Sequence, residues 1–395
     1  MKKIAFLSTF PPQPLNTGFA IRIRTLLDQV PANYRLLKIY PECEEGFEPD
    51  VPFKPVKPSR FMELFSMEPR ILMDYRISRQ RNDVMEAIKS MEPDAFVVSG
   101  IHVLPFVPVE YPVIYDAHNI EWKLSEGLFR VKGTTLPVRL HRYITFMKLR
   151  RAEERIIRQV ECIVACSDTD AAYFSSLRQA SVPVVMNGVD TDFWKVTREP
   201  EPGLVLFSGD MSYYPNIDAA VYLVREVLPV LLAGGWKGKL VLCGRNPVKK
   251  VLDLASPQVE VTGSVPDMRP YYARASVLAA PMRIGSGTPL KVITAMAAGI
   301  PVVTTSRVAA SLGLEKSECL KLAESPEELS RSIIEIISNR QLSFELSQAS
   351  IRAVQRRFSR KACSRRFWSI VDEYLRVMHE RPSPLLQHSY SSSEF

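Results

Sequence analysis

Val277-Leu-Ala-Ala-Pro-Met-Arg-Ile-Gly-Ser-Gly-Thr-Pro-Leu-Lys-Val-Ile-Thr-Ala-Met-Ala-Ala-Gly-Ile-Pro-Val-Val-Thr304 reads as an apolar strand, a glycine loop, a helix and a second apolar strand. Thr288 suits an N-cap and Pro289 the first helical position, and Gly299 with Pro301 closes the helix. Strand, helix and strand in that order form the unit of a parallel sheet covered by helices. The loop has its own chemistry. A helix start leaves backbone N–H groups unpaired, and Gly285 and Gly287 let the backbone approach a ligand without a Cβ in the way. Lys291 falls at the third helical position, where the helix dipole disfavours a cation by about 0.3–1 kcal/mol. A bound anion reverses that penalty. From Met268 to Leu314 there is no acidic residue, while Arg269, Arg274, Arg283, Lys291 and Arg307 supply five cations. These features describe a phosphate site, weighed against an ordinary turn with solvated basic residues. The loop is not a dinucleotide fingerprint, since Leu290 stands where its third glycine belongs.

Outward from this unit the alternation continues. In the second half Leu204–Ser208, Lys239–Cys243 and Val259–Thr262 read as further strands, with helices over Ile217–Leu232, Val248–Leu254, Met268–Ala273 and Pro326–Ser338. In the first half Lys3–Ser8, Tyr34–Tyr40, Ala95–Ser99, Val113–Asp116, Cys162–Ala165 and Val182–Met186 read as strands. Helices there cover Gly18–Val30, with Ile21, Leu26 and Leu27 inward, Arg81–Met91 and Leu136–Gln159. Residues 48–80, rich in proline, methionine and basic groups, read as an irregular insertion, and Glu199-Pro-Glu-Pro-Gly203 as a hinge. A chain of 395 residues suits two domains. The expected fold is α/β, with two doubly wound Rossmann-like domains facing a central cleft that holds the site at the strands' carboxyl ends. The expected boundaries are 1–198, 199–358, a helix over 359–381 packing back toward the first domain, and a disordered tail over 382–395.

Composition excludes several classes. With 46% hydrophobic and 24% charged residues the chain is of ordinary globular type. No run reaches the roughly 20 apolar residues of a membrane span. Ser8, Thr9, Pro11 and Pro12 end the first apolar stretch short of a signal peptide, so a cytoplasmic location is expected. Six scattered cysteines and five unclustered histidines indicate neither a disulfide framework nor a metal site. Net charge is +8, and residues 1–200 carry 27 Lys/Arg against 25 Asp/Glu while 201–395 carry 24 against 18. No nucleic-acid module is readable, so nucleic acid is not an expected partner.

Smaller signals carry two readings each. His118 follows an apolar strand, where it can donate to a ligand hydroxyl or a developing charge, or simply cap and pack. Asp116 is a turn-former or a ligand. Arg130, Lys132, Arg139, Arg142, Lys148, Arg150 and Arg151 alternate with Leu136, Leu140, Ile144, Phe146 and Met147. Such a mixture suits an anionic bilayer, joined by Arg60, Phe61, Leu64 and Phe65, or an ordinary amphipathic helix. The basic run Arg352 to Arg366 reads as a solvated face.

Phe207-Ser-Gly-Asp-Met-Ser-Tyr-Tyr-Pro-Asn216, Gly263-Ser-Val-Pro-Asp267, Arg283–Lys291 and Ala295-Met-Ala-Ala-Gly-Ile-Pro-Val-Val303 resemble the donor-binding half of family 4 glycosyltransferases. Val185-Met-Asn-Gly-Val-Asp190 is similar to their inter-domain segment, and the Gly18 loop with Asp116-Ala-His-Asn-Ile-Glu121 to their acceptor-side domain. The resemblance implies the GT-B fold and a retaining, metal-independent transfer from a nucleotide-diphosphate sugar, with no cofactor beyond that co-substrate. A polysaccharide or lipid-linked glycan acceptor is expected, and the basic and apolar stretch, on its bilayer reading, would sit at the inner face of a membrane. The resemblance also implies that Arg283 and Lys291 hold the diphosphate with the backbone of Gly287, Thr288, Pro289 and Leu290. Gly263, Ser264 and Val265 would border the base, Gly18 would meet the phosphates from the other side, and His118 would lie beside the transferred sugar. The family's two glutamates, near the sugar and on the ribose, are replaced here by Ser286 and Thr294. A charged acceptor is worth about twice a neutral one. A non-catalytic relative and a nucleotide-sugar epimerase on the same scaffold are the alternatives. The epimerase needs cleft carboxylates, against which the acid-free window speaks.

Overall fold

The computed structural model describes residues 1–15, 17–43, 47–54, 72, 80–129, 136–285, 287–315 and 318–380. Most of the expected insertion, its Arg60, Phe61, Leu64 and Phe65, as well as Arg130, Lys132, Ser286 and the expected tail, lie outside these residues. Two compact units form. The first holds Met1–Cys166, Ala171–Val185 and the chain from Ser364, and the second holds Ser167–Asp170 and Met186–Cys363.

The first unit is built on β1 (Lys2–Ser8), β2 (Tyr34–Tyr40), β3 (Val51–Pro52), β4 (Ala95–Ser99), β5 (Val113–Ala117) and β6 (Cys162–Ala165). They join in the order β3-β2-β1-β4-β5-β6, every pair parallel. Parallel strands are covered on both faces, so β4 is buried at every residue. The register sets Ser8 beside Ser99 and Ser99 beside Asp116, which gathers three polar side chains at the carboxyl end. The second unit repeats the scheme with β7 (Val205–Ser208), β8 (Leu240–Cys243), β9 (Val259–Gly263), β10 (Val277–Ala280), β11 (Val302–Thr304) and β12 (Lys321–Leu322). Their order, β12-β11-β10-β7-β8-β9, is the same once numbered from β7. In both sheets the order reverses beside the first strand, where a doubly wound sheet binds ligands.

Several expectations change. Val182–Met186 forms a single bridge, Ala165 to Val184, rather than a strand, because Pro183 has no N–H to extend the ladder. In the helix Gly18–Leu26, Arg22 is buried, while Ile21 and Leu27 are half-buried. The expected helix Ile217–Leu232 starts earlier, at Tyr214, and passes through a wide turn over Leu223–Val227 before Leu228–Ala233. Pro229 offers no N–H to the Arg225 carbonyl, and the wider turn relieves that position. The helices Glu121–Phe129, Asp168–Arg178, Ser306–Ser311 and Arg340–Ala353 were not anticipated.

Glu199–Gly203 lies inside the second unit. Glu199 and Glu201 N–H donate to Ala273 and Arg274 carbonyls, and Arg274 pairs with the Glu201 carboxylate. The helix Arg360–Glu380 begins in the second unit and ends in the first. There Trp368 donates to Leu26 O at 2.8 Å, and Asp372 accepts from Lys2 and Tyr34. The basic run Arg352 to Arg366, which overlaps the start of this helix, is more than a solvated face. Arg357 donates to Gly313 O, Arg360 pairs with Asp190 and Arg366 donates to Val184 O. None of the six cysteines is joined in a disulfide. Among the described residues no helix is long and apolar enough to cross a membrane.

Candidate functional site

Beyond the carboxyl end of β10, the described loop residues are 281–285 and 287–289, before the helix Leu290–Ala297. Gly285 has φ 128° and Gly287 φ 76°, conformations open to glycine and strained for other residues. A Cβ on Gly285 would meet nothing nearer than 3.8 Å, so backbone conformation rather than space requires glycine. The N-cap is Pro289, not Thr288, because Pro289 with ψ 80° is still outside the helix. The Thr288 hydroxyl instead accepts from Asn187 N–H at 3.2 Å. Leu290 is therefore the first helical residue and Lys291 the second.

Lys291 is the most unusual group here. Its ammonium donates to Asn216 Oδ1, contacts Met282 Sδ at 3.5 Å and stands 4.6 Å from the centre of the Phe207 ring. All these partners are neutral, and among the described residues it forms no ion pair. Desolvation by burial pulls its pKa down to about 7. Asn216 is itself buried and held by an Nδ2 bond to Asp210 O at 2.8 Å. Thr294, three residues on, is buried, and its hydroxyl makes no hydrogen bond among the described residues.

The acid-free window in the sequence is not acid-free in space. Asp218 grips Arg283 through two bonds of 3.0 and 2.6 Å, and Arg283 also stacks 4.4 Å from the Tyr222 ring centre. Asp170 accepts from Gly287 N–H at 3.2 Å. Both carboxylates arrive from elements remote in sequence, which local spacing cannot register. Gly263, with φ 68°, ends the edge strand β9, and Ser264 and Val265 follow it at the carboxyl end of this sheet. Asn216, Asp218, Asp170, Phe207 and Met282 were not singled out from sequence. Phe207 and Asn216 lay within a quoted stretch, but nothing local assigned them to Lys291.

The first unit has a polar cluster of its own, at the ends of β4 and β5. Arg22 donates to Asp116 Oδ1 from two nitrogens at 3.0 and 2.5 Å and to the Val185 carbonyl. Asp116 Oδ2 is 2.5 Å from Ser99 Oγ and 3.2 Å from His118 Nε2. Complete burial opposes its ionisation, but the Arg22 charge and the bonds from His118 and Arg22 outweigh that and hold the carboxyl well below the usual range. Asp116 is thus a buried ionic anchor rather than a turn-former. His118 is buried and stacks 5.2 Å from Phe19. His102 bonds Thr9 Oγ1 through Nδ1 at 3.2 Å, and burial with the nearby His118 lowers its pKa to about 4. Gly18 opens the helix that carries Phe19 and Arg22, behind an N-cap in which Thr17 accepts from Ala20 N–H.

Comparison with known proteins bears on both units. The glycosyl transferases group 1 family model matches residues 202–339, within the second unit. Compared by sequence with curated proteins, the chain has no match. Among solved structures, sucrose-phosphate synthase from Thermosynechococcus elongatus is similar at 15% identity and a TM-score of 0.67, over 95% of this chain and 100% of that one. HepE from Anabaena, in complex with UDP-glucose, is similar at 14% and 0.63, over 94% and 100%. TarM is similar at 13% and 0.54 over 74% of this chain, which spans 57% of TarM's length. These likenesses show the fold, a GT-B arrangement of two Rossmann-like units.

Because Asp218 competes with any anion for Arg283, Asp218→Asn should tighten pyrophosphate binding by a few-fold, about the worth of one exposed charge contact. Calorimetry with wild type and variant checks this. Loss of binding would instead mean that Asp218 holds Arg283 in its binding pose.

Proposed function

We propose that the protein transfers a sugar from a nucleoside-diphosphate sugar to a hydroxyl acceptor, as a retaining glycosyltransferase of the family 4 type. The observation that carries this reading is Lys291, a desolvated cation with only neutral partners, at the strand end where a doubly wound sheet takes its ligand. A diphosphate supplies the missing counter-charge. Lys291, Arg283 and the Gly285–Leu290 backbone offset its charge in place of a metal, and no resident cofactor is assigned. Support also comes from the group 1 model over this unit and from a GT-B relative whose complex contains UDP-glucose. Gly263–Val265 are assigned to the base, Thr294 to the ribose, Gly18 to the phosphates and His118 to the transferred sugar. Ser286, which replaces the family's first glutamate, stays with the sugar end of the donor.

The acceptor is assigned as a glycan or lipid-linked glycan, as in polysaccharide assembly, with contact at an anionic membrane surface. Leu136, Val138, Leu140, Tyr143 and Ile144 are exposed along two turns of the helix Leu136–Gln159. Arg139 and Arg142 stand among them, and no acid occurs from 136 to 152. Apolar and cationic side chains together suit the interface of an anionic bilayer. Sedimentation with phosphatidylglycerol vesicles should pull down wild type and leave Leu140→Asp with Ile144→Asp in solution. Equal pelleting with neutral phosphatidylcholine would remove the anionic component of this assignment.

Lys291→Ala should weaken nucleoside-diphosphate binding by about 1.5–3 kcal/mol, the worth of a charge-assisted bond, or roughly ten- to a hundredfold. A protonation signature accompanies it. Burial favours neutral Lys291 above about pH 7 in the empty site, whereas a bound dianion restores the charge. Binding should therefore take up a proton above about pH 7, with affinity rising as the pH is lowered from about 9 to about 7 and levelling below. Calorimetry in buffers of different ionisation enthalpy reads that proton, and unchanged binding in Lys291→Ala would sink the assignment. Thr294→Glu should tighten nucleotide-sugar binding by about 1–2 kcal/mol, the gap between a neutral and a charged hydrogen bond. Weaker binding in that variant, with brisk wild-type turnover, would mean a pocket rebuilt around threonine. If neither form binds a nucleotide-sugar, the non-catalytic reading prevails.

A further inference from the structure

The cluster in the first unit contains a chain of donors and acceptors whose direction can be worked out. Asp116 is ionised and so only accepts. Its Oδ1 is taken by two N–H groups of Arg22, whose remaining arm donates to the Val185 carbonyl. Its Oδ2 lies 2.5 Å from Ser99 Oγ, so the single Ser99 proton points there. Ser99 Oγ is also 2.6 Å from His118 Nε2. Having given its proton to Asp116, Ser99 can only accept from the ring. The other contact of Nε2, at 3.2 Å, is the same carboxylate oxygen, again an acceptor. Both contacts require a hydrogen on Nε2. In the neutral ring that leaves the lone pair on Nδ1, which is buried and has no partner among the described residues.

We propose that Arg22, Asp116 and Ser99 are positioning residues that lock His118 as the Nε2–H tautomer and present Nδ1 as a hydrogen-bond acceptor for a ligand O–H. This rests on His118 acting at the sugar, as proposed above, and adds the sense of the contact. In that tautomer the ring takes a hydroxyl proton into a hydrogen bond, and repels a carboxylate, phosphate or carbonyl oxygen that has no proton to give. The anchor is rigid for a physical reason. Asp116 and Arg22 are both buried at the end of the sheet, where neither can exchange its partner for water without exposing the other's charge. The Phe19 face against the ring limits its rotation. The neutral His102 beside it adds no competing positive charge.

Nitrogen-15 spectra of histidine-labelled wild type at about pH 8, where a free imidazole is neutral, read the tautomer directly. The His118 signal is identified by its loss in His118→Asn. A protonated Nε2 and an unprotonated Nδ1 are expected, and a ring protonated on Nδ1 overturns the proposal. Ser99→Val and Ser99→Thr share a volume and differ by the hydroxyl. Ser99→Val should lower kcat by about tenfold or more, the loss of one hydrogen bond, with nucleoside-diphosphate affinity unchanged and Ser99→Thr restoring turnover. Equal loss in both variants would show packing instead of positioning, and full turnover in Ser99→Val would remove Ser99 from the chain. If wild type transfers no sugar from any donor, the transferase reading fails on its own, while the spectra still decide the tautomer.

Discussion

A parallel sheet buried on both faces leaves its polar chemistry nowhere to go but the ends of its strands. Here β4, β7, β8 and β10 are buried at every residue. The reversal of strand order beside β1 and β7 prevents the crossovers from closing over the carboxyl ends at those points. The two polar clusters lie at or just beyond strand ends: Ser99, Asp116 and His118 in the first unit, and Arg283 and Lys291 in the second. Topology sets these positions before any side chain is chosen.

The two units treat buried charge in opposite ways. In the first, Asp116 meets Arg22 within the protein, and the pair is complete without a ligand. Such a pair contributes little net stability, since desolvation of both ions offsets their attraction, but removing one partner costs about 3–5 kcal/mol. It suits a scaffold whose task is to keep a neighbouring ring in one orientation. In the second unit Lys291 is surrounded by an amide, a thioether and an aromatic face. None of these balances a full charge, so the protein leaves the proton loosely held. One unit is internally compensated, and the other is arranged to be completed by an anion.

How much of this could be read in advance depended on how local the determinants were. The glycine loop, the helix that follows it and Lys291 lie within one contiguous stretch, and their spacing carried the phosphate reading. Thr288 misled because a threonine before proline has the composition of an N-cap, yet its hydroxyl was claimed by Asn187, 101 residues away. The acid-free window misled for the same reason: Asp218 and Asp170 reach Arg283 and Gly287 across 65 and 117 residues. Arg22 sits between Ile21 and Ile23 on an amphipathic helix, where a basic residue ordinarily faces water. Only the register of β4 on β5, which delivers Asp116 to the same place, makes it a core residue. Strand alternation survived translation into three dimensions because burial on both faces demands it at every position. Pairings of single polar groups did not, because nothing in their neighbourhood encodes the partner.

The state of Lys291 also bears on how a transfer would be driven. In the proposed reaction the bond from sugar to diphosphate breaks, and the departing diphosphate gains negative charge as it does so. A neutral contact would hold donor and leaving group much alike. Such uniform binding lowers KM without raising kcat. Lys291 regains its proton when the donor binds, and a full cation is attracted the more strongly the more negative its neighbour becomes. Its contact therefore strengthens as charge develops, in a setting of low polarity where each increment counts for more than in water. The neutral cage of Asn216, Met282 and Phe207 is what makes this possible. A carboxylate in place of any one of them would pair with Lys291 beforehand and weaken its contact with the developing charge.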